Sequence, residues 1–345
     1  MEKILTPMNL EKKLFYHGDK VSEYLEKGDT TPVMWELDPT NLCNHECIGC
    51  FAKGAGGRTN NETLKLEQAK SYIDQMVAMK AKGISFTGGG DPMVFKHTPK
   101  LIEYAKSNGL DVGMVTNGTL FKTDESIDIV VKNNSWVRVS IDAGSHEVYT
   151  AIRKVPSPGP AGLDTAFKNM TRLAKRKKEL GSDVTIGAGF LTSELTNPDM
   201  VAATKMCKEA GIDYIQFRPF HGDGTIPEYI EECRSMQTDD FKVHLSEFKY
   251  DTKYKKQYDK CRGQSFSGVI NVHKVYVCCH LRGIDKYELG DLRESSLEEI
   301  WNSERRQHVI NNIDFNDCIA LCKLDCVNRQ LHHITIDKPQ HTNFI

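Results

Sequence analysis

The chain has 345 residues, with 45 Lys and Arg against 47 Asp and Glu and a formal net charge of −2, a balance that exerts no general pull toward nucleic acid or an anionic membrane. Hydrophobic residues at 39% and charged residues at 27% are ordinary for a globular protein of one barrel-sized domain plus an appendage. No apolar run is long enough to span a bilayer, and the start, MEKILTPMNLEKKLFYHGD, lacks the apolar stretch of a secretory signal, so a cytoplasmic protein is expected.

Residues 1–30 read as a lead-in of one or two helical turns. A β/α alternation then runs over residues 31–220. Strands are expected at VMWELDP (33–39), GISFTGG (83–89), DVGMVTN (111–117), WVRVSID (136–142), VTIGAGFL (184–191) and YIQFRP (214–219). Between them Leu66, Ala69, Tyr72, Ile73, Met76 and Met79 recur at helical spacing. Further helices are expected around 101–105 and over 124–133, 161–180 and 199–210. Six strands alternating with helices imply an α/β fold with a parallel sheet and right-handed crossovers, curled toward a partial (β/α)6 barrel. The alternation breaks after residue 220. Residues 221–260 read as a polar bridge, and residues 261–345 as a small cysteine-rich α+β module.

The chain holds 11 cysteines, an odd number without an export signal, so clustered thiols read as metal ligands rather than disulfides. Cys43, Cys47 and Cys50 follow the first strand in the spacing C-x3-C-x2-C. Thiolates are the usual ligands of iron–sulfur clusters, and three of them leave one iron of a four-iron cluster open to another ligand. The loop also follows the C-terminal end of a strand, where barrel enzymes place their chemistry. A zinc site is the plain alternative.

The run Cys43-Asn44-His45-Glu46-Cys47-Ile48-Gly49-Cys50 resembles the signature of the radical S-adenosylmethionine (SAM) superfamily. The resemblance implies a [4Fe–4S] cluster on the three cysteines, with SAM chelating the fourth iron. It implies reductive cleavage of SAM to methionine and a 5′-deoxyadenosyl radical, which takes a hydrogen atom from the substrate. Gly49 stands where that family usually has an aromatic residue.

The same resemblance extends to the ends of later strands. Gly88, Gly89, Gly90 and Asp91 resemble the family's glycine motif, which binds the SAM amino group, with Asp91 standing where glutamate is more usual. Thr116 and Asn117 fall where the ribose region is contacted, Ser140 and Arg153 where the SAM carboxylate is bound, and Asp142, at the end of the fourth strand, is counted with the cofactor-binding positions. Gln216 and Arg218, at the end of the sixth strand, face SAM or substrate.

The second group is Cys261, Cys278, Cys279, Cys318, Cys322 and Cys326. With GDL followed by SLEEIW between its members, it resembles the SPASM/twitch extension of the same superfamily, which holds auxiliary clusters. Six cysteines cannot supply eight ligands, so one auxiliary [4Fe–4S] cluster is expected. Its ligands are expected to be Cys261, one of Cys278 and Cys279, and two of Cys318, Cys322 and Cys326, with Cys279, Cys318 and Cys322 as first choices. A four-cysteine zinc knuckle is the alternative.

Three partners are implied: SAM, a flavodoxin or ferredoxin as electron donor, and a substrate. About 30 residues precede the first strand, fewer than the leader-binding domain that peptide maturases often carry. A small polar metabolite (sugar, nucleoside or aminocyclitol) is therefore favoured, with a SPASM-type maturase of a ribosomal peptide or protein as the alternative. An electron carrier or a zinc-bound interaction protein would have no use for the glycine, serine and arginine positions. Cys233 lies in the segment leaving the sixth strand, and a thiol there is read as a hydrogen-atom donor to a substrate radical.

Overall fold

The computed structural model describes residues 10–50, 52, 61–220, 226–319 and 321–337. Its ten strands form one sheet: β1 (Met34–Asp38), β2 (Gly83–Phe86), β3 (Asp111–Thr116), β4 (Asn134–Ser140), β5 (Thr185–Thr192), β6 (Tyr214–Pro219), β7 (Lys242–Leu245), β8 (Ser267–Asn271), β9 (Lys274–Tyr276) and β10 (Glu288–Asp291). Their order is β10-β9-β8-β1-β2-β3-β4-β5-β6-β7. Strands β8 and β1 through β7 are mutually parallel, and β8-β9-β10 is an antiparallel meander.

The six strands read from the sequence are β1 to β6, and the sheet goes further at both ends. β7 comes from the segment read as a bridge and pairs with β6, Tyr214 opposite Lys242. β8 comes from the cysteine-rich module and pairs in parallel with β1, Trp35 opposite Gly268. All five β8 residues are buried, as a central parallel strand requires. A side chain at position 268 would collide with the Trp35 ring, so glycine lets the indole lie across β8.

The helices cover the outer face through regular apolar stripes. Leu66–Ala78 buries Ala69, Tyr72, Ile73 and Met76, and Leu163–Leu180 buries Leu163, Phe167, Met170 and Leu173 among others. The helix His146–Arg153, not expected from the sequence, starts at Ser145, whose hydroxyl accepts the Val148 N–H.

The cysteine-rich module is welded to the barrel on two sides. Trp301, at the end of the SLEEIW helix, meets Trp35 edge-on at 5.1 Å and donates its indole N–H to the Thr30 carbonyl at 3.0 Å. The fully buried Arg306 stacks over Trp301 at 3.8 Å and forks onto Asp29 in the lead-in. Leu14 and Tyr24 from the lead-in pack on Phe266, Val327 and Leu331.

Candidate functional site

The loop bearing the first cysteines leaves β1 and is held by three neighbours. Asn44 donates to Thr119 Oγ1 at 2.9 Å and accepts from Asn117 at 2.8 Å, which ties it to the end of β3. Glu46 N–H and Ile48 N–H donate to the carbonyls of Arg153 and Ile152 at 3.1 and 2.9 Å. His45 is buried, donates its Nε2–H to the Ala161 carbonyl at 3.0 Å, and meets Tyr149 edge-on. Burial first, then the Arg153 charge, holds its pKa down to about 4, so the imidazole is neutral. Cys43, Cys47 and Cys50 are half-buried thiols in no disulfide.

Gly49 sits at φ +61°, and a side chain there would run into the Phe220 ring. Phe220 follows β6 and is anchored by its N–H to the Thr192 carbonyl at 2.9 Å. The position before the last cysteine therefore carries no aromatic residue of its own, and the ring of Phe220, just after β6, packs onto its backbone.

The glycine turn after β2 lies against the same loop. Gly88 N–H donates to Asp38 Oδ1 at 2.7 Å, and Gly90 N–H to the Thr40 carbonyl at 2.8 Å. Gly89 has φ +79°, and a Cβ there would lie 2.6 Å from Asn41 Oδ1; one at Gly90 would overlap the Leu42 carbonyl. Only glycine fits this approach to the cysteine loop.

Asp91 is fully buried. It accepts from Met93 N–H, from Thr116 Oγ1 and from Asn117 N–H, at 2.7 to 3.1 Å. Asp91, Thr116 and Asn117 thus come together as expected, but they spend these polar atoms on one another and fasten β2 to β3. Ser140 ends β4, half-buried and opposite Gly189.

Arg153 is buried between two groups. Its Nη2 lies 2.7 Å from Asp142 Oδ2, and its Nη1 donates to Cys47 Sγ at 3.4 Å. Asp142 also accepts from Leu191 N–H at 2.7 Å. The Arg153 Nε is buried with no hydrogen-bond partner among the described residues, which leaves a donor for a further anion beside the loop. Gln216 bridges Arg138 Nη1, at 3.2 Å, and Ser246 Oγ, at 2.9 Å. Arg218 is half-buried on β6.

The second site is a cavity of about 400 Å³ including its mouth. Cys261, Cys278, Cys318 and Cys322 line it, with Tyr258, Leu281 and Phe315. Cys261 is steadied by Asn328, whose Nδ2 donates to its sulfur at 3.5 Å while its Oδ1 accepts the Gly263 N–H at 2.7 Å. Burial pushes the Cys318 and Cys322 thiols up to about 11 and about 12. Among the described residues no three His, Cys, Asp or Glu side chains converge on a single-ion site. Four thiols spread around one apolar cavity fit a four-iron cluster.

Two sequence expectations change here. Cys279, a first choice, does not line the cavity, whereas the neighbouring Cys278 does; both pack against Val269 and Tyr276, and their thiols share a hydrogen bond. Cys326 also lies off the cavity, against the Leu14 and Phe266 cluster. Cys233 is corrected more strongly. It is fully buried in the main hydrophobic core on the short helix Ile230–Ser235, which packs against Met200–Glu209. A thiol so placed does not face a substrate radical.

The sequence reading missed the link between the two sites. Glu36 and Asp38 alternate along β1 and face the barrel interior. Arg282, from the turn after Cys279, ion-pairs with Asp38 and sits 4.0 Å from Glu36. Lys323, next to Cys322, ion-pairs with Glu36. Two acids inside a central parallel strand are the signal that could have called for such partners.

Profiles of known families match both regions. The radical SAM superfamily matches residues 37–194, and the SPASM iron–sulfur cluster-binding domain matches residues 261–327. Fe-coproporphyrin III synthase of Methanosarcina barkeri is 29% identical over 205 residues, covering 59% of this chain and 48% of that protein. Mycofactocin maturase MftC of Mycolicibacterium smegmatis is 27% identical over 157 residues, covering 45% of this chain and 38% of that protein. The chain thus spans less than half the length of either relative. The structure of Streptococcus suis SuiB bound to precursor peptide SuiA superposes with a TM-score of 0.62 at 15% identity, covering 88% of this chain and 72% of that one, and shares the fold.

With SAM and the clusters bound, such a site supplies one-electron cleavage of SAM. What this chain's residues contribute is a thiol loop tied down by hydrogen bonds, a glycine floor beside it and a buried guanidinium at Cys47. No helix among the described residues is long and apolar enough to cross a membrane. The chain is an enzyme of the radical SAM superfamily with a C-terminal SPASM iron–sulfur domain.

Proposed function

We propose that this enzyme is a maturase that modifies a peptide or protein, with SAM and a reductant as co-substrates. The observation that carries the reading is the match to the mycofactocin maturase. The shared fold with SuiB across both the barrel and the cysteine module is compatible with it. The expectation of a small polar metabolite ranks second, supported by the match to Fe-coproporphyrin III synthase.

We further assign the ligands by cavity. Cys43, Cys47 and Cys50 hold the cluster that binds SAM, with Arg153, Ser140 and the turn Gly88 to Gly90 beside it. Cys261, Cys278, Cys318 and Cys322 hold the auxiliary cluster. The Arg282–Asp38 and Lys323–Glu36 pairs fix the distance between the two sites.

Anaerobic incubation of the reconstituted enzyme with SAM, dithionite and short peptides encoded beside its gene tests the reading. A mass change in one peptide, matched by 5′-deoxyadenosine release above the substrate-free rate, supports it. Release stimulated by small metabolites and by none of the peptides would reverse the order of the two readings.

A further inference from the structure

The charges inside the barrel are sorted. On the β1 side, Glu36 and Asp38 are matched by Lys323 and Arg282. On the β4 to β6 side, Arg138, Arg218 and Lys249 lie within electrostatic reach of one another, and none of the three forms an ion pair among the described residues. The Nε atoms of Arg138 and Arg218 are buried with no hydrogen-bond partner among those residues. The nearby carboxylate, Asp142, is taken by Arg153 and Leu191 N–H.

The backbone is shaped to bring these cations together. β5 places Gly187 opposite Arg138 and Tyr214, and Gly189 opposite Ser140 and Gln216. A Cβ at Gly189 would lie 3.4 Å from the Arg138 side chain, and one at Gly187 would overlap the Tyr214 ring. Over this glycine strip Arg138 reaches Gln216 at 3.2 Å. Lys249 is held over the ends of β5 and β6: Ser246 N–H donates to the Phe217 carbonyl at 3.0 Å, and Tyr250 and Thr192 share a hydrogen bond of 2.8 Å. Burial first, then Arg218 and Arg138, brings Lys249 down to about 8, with a smaller opposing pull from the Cys322 and Cys279 thiols. Burying like charges with no carboxylate paired to them is costly, so an arrangement of this kind is retained for an anion it binds.

We propose that Arg138, Arg218 and Lys249 form the substrate's carboxylate site, taking an acidic side chain or the C-terminal carboxylate of the peptide. This deepens the maturase reading and rests on it. Two arginine forks suit a planar carboxylate, and the lysine adds a point charge.

The test uses the reconstituted holoenzyme with SAM saturating, and compares succinate and inorganic phosphate with sodium chloride at equal ionic strength. Succinate is expected to raise the Tm by roughly 2–4 °C. The response should be lost in Arg138→Gln/Arg218→Gln and in Lys249→Met, and each variant should melt higher than wild type without added anion. Absence of a succinate shift, or an equal shift in the variants, overturns the proposal. A shift seen only before SAM is added assigns these cations to the SAM carboxylate and also overturns it. A shift with phosphate alone removes the carboxylate assignment. Peptide modification by the wild-type enzyme is scored separately, so failure of this site and failure of the maturase reading are distinguishable.

Discussion

Arg282, three residues beyond Cys279, ion-pairs with Asp38, the last residue of the strand that leads to Cys43. One buried pair thus joins the module that holds the auxiliary site to the strand that launches the SAM site. Asp38 also accepts Gly88 N–H at 2.7 Å and Asn271 Nδ2 at 3.1 Å, so four separate segments meet at one carboxylate.

Breaking that junction should cost more than an ordinary surface pair. Arg282→Met leaves Asp38 buried and uncompensated, a loss of about 3–5 kcal/mol. Chemical denaturation should show the cysteine module released before the barrel. A variant that unfolds like wild type would remove the pair from the account of domain docking.

Adjacent cysteines should behave differently. Cys278→Ser is expected to lose the auxiliary cluster, roughly four irons, while Cys279→Ser keeps it. Iron analysis and the visible spectrum of the anaerobically reconstituted proteins decide this. Equal iron loss in both variants would contradict the cavity assignment.

Gly49 and Phe220 should be coupled. Gly49→Ala introduces a Cβ at φ +61° and into the Phe220 ring, with the backbone alone costing about 1–2 kcal/mol. Replacing Phe220 with leucine in the same chain should recover part of the lost stability and iron occupancy. A strictly additive double variant would mean that the ring and the loop do not press on each other.

Lys249 sets a pH dependence with a defined sign. Its folded pKa is lowered from 10.5 to about 8, so between those values the unfolded chain holds the extra proton. Its contribution to stability is therefore unfavourable below about 8 and is relieved as pH rises above it. Succinate binding should move oppositely and weaken above the same pH. Lys249→Met should remove the part of both trends centred near 8 and leave the part due to Arg218, which burial and then Arg138 bring down to about 9; a wild-type succinate response constant from pH 7 to pH 10 would contradict this assignment, values chosen to lie roughly either side of the shifted pKa.

Much of this architecture is legible in the sequence because period and spacing are local signals. The apolar runs of β1 to β6 and the stripe of Leu66–Ala78 announce themselves, and C-x3-C-x2-C marks the first site. What escaped depends on the chain's path in space. KVHL is too short and polar to read as a strand, yet it completes the sheet beside β6. The buried run at Ser267–Asn271 reads as part of a separate module, but its glycine is shaped to Trp35. Nothing in the pair Cys278-Cys279 says which thiol faces the cavity, since the two are adjacent in the chain and their thiols hydrogen-bond to each other. Cys233 follows the sixth strand in sequence but returns to the core against Met200–Glu209. Arg138 and Lys249 lie 111 positions apart by their numbering and come within electrostatic reach only through the folding of β4 to β6.

The most direct measurement compares wild type with the Cys43→Ala/Cys47→Ala/Cys50→Ala variant after anaerobic reconstitution, scoring iron and 5′-deoxyadenosine together. Wild type should carry about eight irons per chain and release 5′-deoxyadenosine under reduction, while the variant keeps about four irons and releases none. Release of 5′-deoxyadenosine by the triple variant would contradict the assignment of SAM cleavage to this loop.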